Sequence, residues 1–242
     1  AFLPSPKQTS SVPDNFAHVR ILYEDKDLCV MDKPSGMVCH ASHGHYSDSL
    51  AHAAVSLLKV PTAPSELRCI GRLDKDTSGL VLFAKNQLSA ARLSRQRENG
   101  LLKKEYLALV HHPFSKEVQK GTIRLSMEQI PENNSTSFDS SGKRITKMRI
   151  CPDGQGLFAV TCYEAILQND SCSIVRCRLE TGRTHQIRLH MASIGHPLFG
   201  DPLYGIRDGG SRAALHAWKL NFLQPITGEP IHLESLRTHM FD

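Results

Sequence analysis

What the sequence lacks narrows the possibilities first. No apolar run approaches the length of a membrane span, so no membrane partner is expected. The seven cysteines include no C-x-x-C pair, the spacing that marks many zinc and dithiol sites. Cys29, Cys39, Cys69, Cys162 and Cys177 fall in or near strand-like apolar stretches. They read as reduced, buried thiols of a non-secreted, intracellular protein. No internal repeat is visible, which removes solenoid and propeller architectures. His40, His43 and His45 crowd one short stretch, yet no neighbouring Cys or carboxylate completes a ligand set. That stretch reads as a solvated loop, and no metal is expected.

What is present fits a folded enzyme or binding domain. Hydrophobic residues make up 40% of the chain and charged residues 22%, the balance of an ordinary globular protein. At 242 residues it is long enough to bury a real core in one domain. Residues 1–18 are rich in Ser, Pro and Lys and read as an extension or linker, leaving 19–242 as one catalytic domain. The formal charge of +5 and pI near 8.8 suit a polyanionic partner without requiring one.

The chain is organised around residues 70–85. An apolar approach is followed by a polar turn, Arg72-Leu73-Asp74-Lys75-Asp76-Thr77-Ser78-Gly79, and then by the buried-strand pattern Leu80 to Ala84. Such a turn fixes its side chains and still shows them to solvent. On spacing alone, Asp74 reads as a carboxylate that accepts backbone N–H bonds within the turn. The functional alternative is a carboxylate held to attack a sugar carbon.

Arg72-Leu73-Asp74-x-x-Thr77-Ser78-Gly79 with its following strand resembles the signature of RNA pseudouridine synthases, most closely the RluA-like branch. That branch usually has His where this chain has Gly71; a sister branch often has Gly. Lys33-Pro34-x-Gly36-x-x-x-His40 is similar to an earlier family motif taken as mainly structural. Lys104-x-Tyr106-x-Ala108-x-Val110 is similar to a later one. Thr181-Gly182-Arg183-Thr184-His185-Gln186-Ile187-Arg188-x-His190 resembles a third, which runs on into Gly195-His196-Pro197-Leu198-x-Gly200-Asp201-x-x-Tyr204-Gly205.

The resemblance spans roughly residues 20–235 and implies specific roles. Asp74 would be the catalytic residue and Arg188 its ionic partner. Tyr106 would stack on the target uracil, Ile187 would pack on its other side, and Arg72 would fill the gap left by the flipped nucleotide or hold a phosphate. The implied fold is α+β, a mixed, mostly antiparallel central sheet with flanking helices. The implied substrate is ribosomal or transfer RNA, acted on by a monomer. No external cofactor is implied, because the base is moved within one nucleotide. A non-catalytic RNA-binding module on the same fold is the alternative, and intact Asp74, Tyr106 and Arg188 weigh against it. A glycosidase would need a second carboxylate, and Asp76 is too close in a tight turn.

Local patterns add further expectations. Strands are expected over 19–23, 28–31, 103–110, 157–167 and 173–179, with closing strands from Leu215 to Leu233. Helices are expected after Ser47 or Ser49, over Ser89 to Glu98, and from a Thr184 cap to Ser193. Residues 131–142 read as a hairpin or insertion. Lys33 is placed to face phosphate, and Arg92, Arg95 and Arg97 on a helix face. Lys143, Arg144, Lys147 and Arg149 form the densest basic patch and read as an RNA edge.

Overall fold

The computed structural model describes residues 16–41, 47–58, 66–131 and 146–236. Eleven strands form one sheet: β1 (Arg20–Glu24), β2 (Leu28–Lys33), β3 (Arg68–Ile70), β4 (Ser78–Ala84), β5 (Lys103–His111), β6 (Lys120–Gln129), β7 (Met148–Cys151), β8 (Leu157–Gln168), β9 (Cys172–Leu179), β10 (Leu215–Leu223) and β11 (Pro230–Glu234). Three helices flank it: α1 (Leu50–Leu57), α2 (Gln87–Glu98) and α3 (Gln186–Ser193). The sheet order is β1-β2-β4-β10-β5-β9-β8-β6-β7, with β11 on β10 and β3 on β4. Only the β4–β10 pair is parallel among the described residues. The architecture is the expected α+β, mixed and mostly antiparallel.

The expected strands form with their ends moved by a few residues. β2 and β4 are buried along their whole length, so they read as apolar runs with no polar face. Their side chains divide by strand period. Cys29, Met31, Val81 and Phe83 enter one core with α1 and α3, while Leu28, Val30, Leu80 and Leu82 enter another with Leu93 of α2. Each large apolar side chain buried this way contributes about 1.5–3 kcal/mol.

The Leu215 segment closes nothing. As β10 it lies in the middle of the sheet, between β4 and β5. Its parallel approach to β4 needs Gly79, which has φ +107°. A Cβ there would stand 2.3 Å from Ala217 O.

Two helix starts differ from expectation or extend it. α2 begins at Asn86, whose side chain accepts from Ser89 N. α3 begins after His185, not after Thr184, and His185 is left-handed at φ 57°. The cause is local: the Gln186 side chain turns back, and its Oε1 accepts from Thr181 Oγ1 and Arg183 N. The expected hairpin over 131–142, His43, His45, Lys143 and Arg144 lie outside the described residues, apart from Pro131 itself.

Candidate active site

The turn carrying Asp74 joins β3 to β4 and is held from beneath by side chains of other segments. Lys33 is fully buried, and its ammonium donates to Pro34 O at 2.9 Å, Met37 O at 2.7 Å and Lys75 O at 2.8 Å. All three N–H donors are used on backbone. Lys33 therefore faces no phosphate, contrary to the sequence expectation. Lys104 Nζ donates to Gly71 O at 2.9 Å, and Ser35 Oγ donates to Asp76 O at 2.8 Å. Ser78 Oγ lies 2.9 Å from His216 Nδ1, and His216 Nε2 lies 2.8 Å from Ser235 O. The carbonyl can only accept, so Nε2 carries the proton and Ser78 donates to Nδ1.

The Asp74 side chain is 31% exposed. Tyr106 of β5 and Ile187 of α3 lie in the same core cluster as Leu73, the residue before Asp74. Burial, reinforced by the Asp74 charge, pushes the Tyr106 hydroxyl well above the ordinary tyrosine range. Arg188 is 4% exposed and lies within the electrostatic reach of Asp74. Tyr106 and Arg188 thus both lie within electrostatic reach of Asp74, though β5 and α3 are distant in sequence, and Ile187 packs in the core cluster that holds Tyr106. Arg72 is exposed, and its charge is felt by His40.

One expected contact is not made. The Arg188 fork does not pair with Asp74. It is bidentate with Asp201, Nε to Oδ2 at 2.8 Å and Nη2 to Oδ1 at 2.7 Å. Asp201 also accepts from Leu203 N and Tyr204 N. Burial drives its carboxyl upward, but the Arg188 bonds outweigh that and hold it below the ordinary range. A buried carboxylate with that many donors is the better partner for a buried guanidinium.

Two further side chains come near Asp74. His185 Nε2 stands 3.9 Å from Asp74 Oδ2, and its Nδ1 is 3.0 Å from Tyr204 Oη. Tyr204 Oη accepts from Met148 N at 2.8 Å, and its ring carries the Arg188 guanidinium at 5.3 Å. Burial, and then the Arg188 charge, lower the His185 pKa and favour the neutral ring.

A family model described as RNA pseudouridylate synthase matches residues 27–193. The chain belongs to that family. It is 38% identical to "Uncharacterized RNA pseudouridine synthase YhcT" of Bacillus subtilis over 234 residues, covering 94% of this chain and 72% of the relative. It is 34% identical to "Ribosomal large subunit pseudouridine synthase D" of Zymomonas mobilis, covering 96% and 73%. Relatives of the latter name place it in the RluA-like branch. "Human RNA Pseudouridylate Synthase Domain Containing 4" aligns with a TM-score of 0.66 at 25% identity, covering 91% of this chain and 89% of the other. "Human RNA Pseudouridylate Synthase Domain Containing 1" shares the fold, with a TM-score of 0.69 at 24% identity and coverages of 93% and 86%. The activity is that of an RNA pseudouridine synthase, an isomerase.

Sequence reasoning on this pseudouridine synthase gave no role to Asp201, Tyr204 or His185. All three stand in its motifs, so the signal was present; what was missing was which carboxylate faces Arg188. Of the two members of the basic patch that are described, Arg149 is paired with Glu128 at 2.7 Å. Arg92 donates to Pro225 O, while Arg95 and Arg97 remain exposed on α2.

Proposed function

We infer that Asp74 carries the isomerisation of uridine to pseudouridine, and that Tyr106, Ile187, Arg188 and Arg72 bind the target nucleotide. The reaction breaks N1–C1′, turns the uracil and joins C5 to C1′; the proton lost from C5 is matched by one gained at N1. The base must leave its stack, which costs a few kcal/mol. An ionised Asp74 then serves as nucleophile at C1′ or as base toward C2′. Tyr106 and Ile187 flank the space where the freed uracil would be held. Arg188, fixed by Asp201, supplies positive charge beside Asp74 without moving. His185, tied to Tyr204 through Nδ1, stands beside Asp74.

The observation that supports this reading is the Asp74 carboxylate, partly open to solvent, within electrostatic reach of a buried tyrosine and a buried arginine. Ribosomal or transfer RNA is the proposed substrate, and two relatives named ribosomal large subunit pseudouridine synthase D support the first of these. Action as a monomer is part of the proposal. The described cysteines, all unpaired, support a reducing intracellular compartment.

Asp74→Asn should abolish pseudouridine formation while leaving RNA affinity within a few fold of wild type. Turnover comparable to wild type would falsify the assignment. Mapping pseudouridines in total RNA with and without the protein would identify the RNA.

A further inference from the structure

The two faces of the sheet differ in what covers them. Tyr106, Cys177 and Tyr163 oppose one another across β5, β9 and β8, and their side is the one packed by α1 and α3. On the other side α2 packs over β3 and β4, while β6, β8 and β9 send side chains into solvent. Strand pairing fixes which ones. Lys120 faces Glu164, Thr122 faces Cys162, Arg124 faces Val160 and Ser126 faces Phe158. Cys162 and Glu164 in turn face Arg178 and Arg176. Directly paired residues share a face, and so does every second residue along a strand. A cavity of about 260 Å³ opens there, with Lys120, Thr122, Cys162, Glu164, Arg176 and Arg178 in its lining.

Positive charge on this face is left over. Arg176 answers two of the acids: it is bonded to Glu164 and lies 4.0 Å from Glu105. Glu180 accepts from the Cys162 thiol at 3.6 Å. Lys120, Arg124 and Arg178 are exposed and enter no ion pair among the described residues. Phe158 stands in the same row, 52% exposed. From Phe158 to Glu164 the row is about 20 Å long. The row also begins at the active-site end of the sheet. Arg183, itself exposed, donates from Nε to Phe158 O at 3.3 Å. Two residues further on, His185 Nε2 is 3.9 Å from Asp74. Unpaired cations beside an open aromatic ring suit single-stranded nucleic acid, with charge for the phosphates and a flat face for a base.

We propose that the outward face of β6, β8 and β9 is a second RNA-contact surface, which takes single-stranded RNA flanking the target nucleotide. The RNA leaving the Asp74 site passes Arg183, rounds the end of the sheet at Phe158 and follows the row toward Lys120. Its phosphates lie against Arg183, Arg124, Arg178 and Lys120, and one base stacks on Phe158. The surface adds affinity and takes no part at the reacting atoms. The path of the RNA rests on the Asp74 reading; the surface itself rests only on RNA being the substrate.

Labelled oligouridylates of about 5 and about 30 nucleotides separate the two contacts, because only the longer can leave the target site and cover the row. Binding is measured between about 50 and about 200 mM salt. Wild type should bind the longer RNA with the steeper salt dependence. Lys120→Gln, Arg124→Gln and Arg178→Gln should each reduce the slope of log K against log salt by roughly 0.7 on the longer RNA and leave the shorter unchanged. The triple variant should bind the longer RNA about tenfold more weakly or worse at the lower salt, and the single variants carry the test if the triple melts early. Phe158→Ala should cost about fivefold or more on the longer RNA with no change of slope, because stacking releases no counterions. Lys26→Gln, at an exposed lysine in the β1–β2 turn at the other end of the sheet order, should change neither. Unchanged slopes in the charge variants overturn the proposal, and so does an equal loss on the short RNA. A dimer that the triple variant dissociates in sedimentation, with RNA binding unaltered, would give the face to a second copy instead. An active Asp74→Asn would remove the Asp74 reading and leave these slopes as they are.

Discussion

Lys33→Met tests whether the buried ammonium holds the fold or the turn. The substitution keeps length and apolar volume and removes one charge with three donors. The cost side is three backbone carbonyls left without a partner. A stranded buried carbonyl costs about 1–3 kcal/mol, and Pro34, Met37 and Lys75 are all at least partly exposed, so water can reach these carbonyls at the low end of that range. The total is about 3–5 kcal/mol. The opposing side is the burden of burying the charge. Burial brings the Lys33 pKa from 10.5 down to about 8. That depression corresponds to about 3 kcal/mol of disfavoured charge, which methionine removes.

The two sides nearly offset, so global stability should fall by no more than about 2 kcal/mol. For a chain of this length, that is a Tm drop of roughly 4–8 °C or less. The turn, by contrast, loses its tie between the β2 loop and Lys75. A misplacement of about 1 Å at a reacting group costs on the order of a hundredfold in rate. The expected signature is therefore a modest change in Tm, a large loss of kcat, and unchanged RNA affinity, because Lys33 reaches no solvent. Thermal melts, single-turnover pseudouridine formation and RNA binding read the three separately. A wild-type rate in Lys33→Met would refute the clamp. A collapse of Tm by more than about 15 °C would show that the residue holds the core instead.

The Arg188–Asp201 pair should behave as a unit in urea unfolding. Arg188→Met or Asp201→Asn alone should cost about 3–5 kcal/mol, and the double variant clearly less than the sum; additive costs would mean that the fork is not coupled to the carboxylate. His190 should set part of the acid sensitivity. It is fully buried, its pKa is lowered from 6.5 to about 4 by burial, and its Nδ1 is 2.9 Å from Thr161 Oγ1. Its folded pKa lies below the unfolded value, so the unfolded chain binds more protons between pH 6.5 and 4, and stability declines as pH falls through that window. The decline attributable to it is at most about 3 kcal/mol, nearer 2 with solvent screening. His190→Met should flatten that slope, and equal pH profiles for both proteins would remove His190 as its source.

The sequence made the Asp74 turn visible because its residue order is local. It made β2 and β4 visible because their apolar runs are unbroken. It could not place β10. Alternation over Leu215 to Leu223 marks a strand but not its neighbours, and the single local trace of the parallel contact is Gly79, whose missing Cβ leaves room for Ala217. Lys33 was misplaced because a lysine beside proline in a loop is ordinarily solvated, and full burial of lysine is rare. The partner of Arg188 was a choice between two aspartates that both sit in motif context. Burial and the extra backbone donors around Asp201 decide it, and neither is written in spacing. The helix start failed for a reason of the same kind: Thr184 obeys the capping rule, but Gln186 folds back and moves the start past His185.

The support under residues 71–78 also bears on why this surface is a catalyst's. Gly71 O is tied to Lys104, Leu73 N and O to Cys39, Lys75 O to Lys33, Asp76 O to Ser35 and Ser78 Oγ to His216. These ties come from β2, the loop after it, β5 and β10, and two of them bury an ammonium at a cost. Docking a polyanion needs exposed positive charge, which tolerates mobile side chains and gains nothing from a clamped backbone. Holding one carboxylate within a fraction of an ångström of a sugar carbon does need it, because disorder at the reacting atom enters the barrier directly. The turn is fixed at nearly every second residue on its inner side, while the Asp74 side chain stays partly open to solvent.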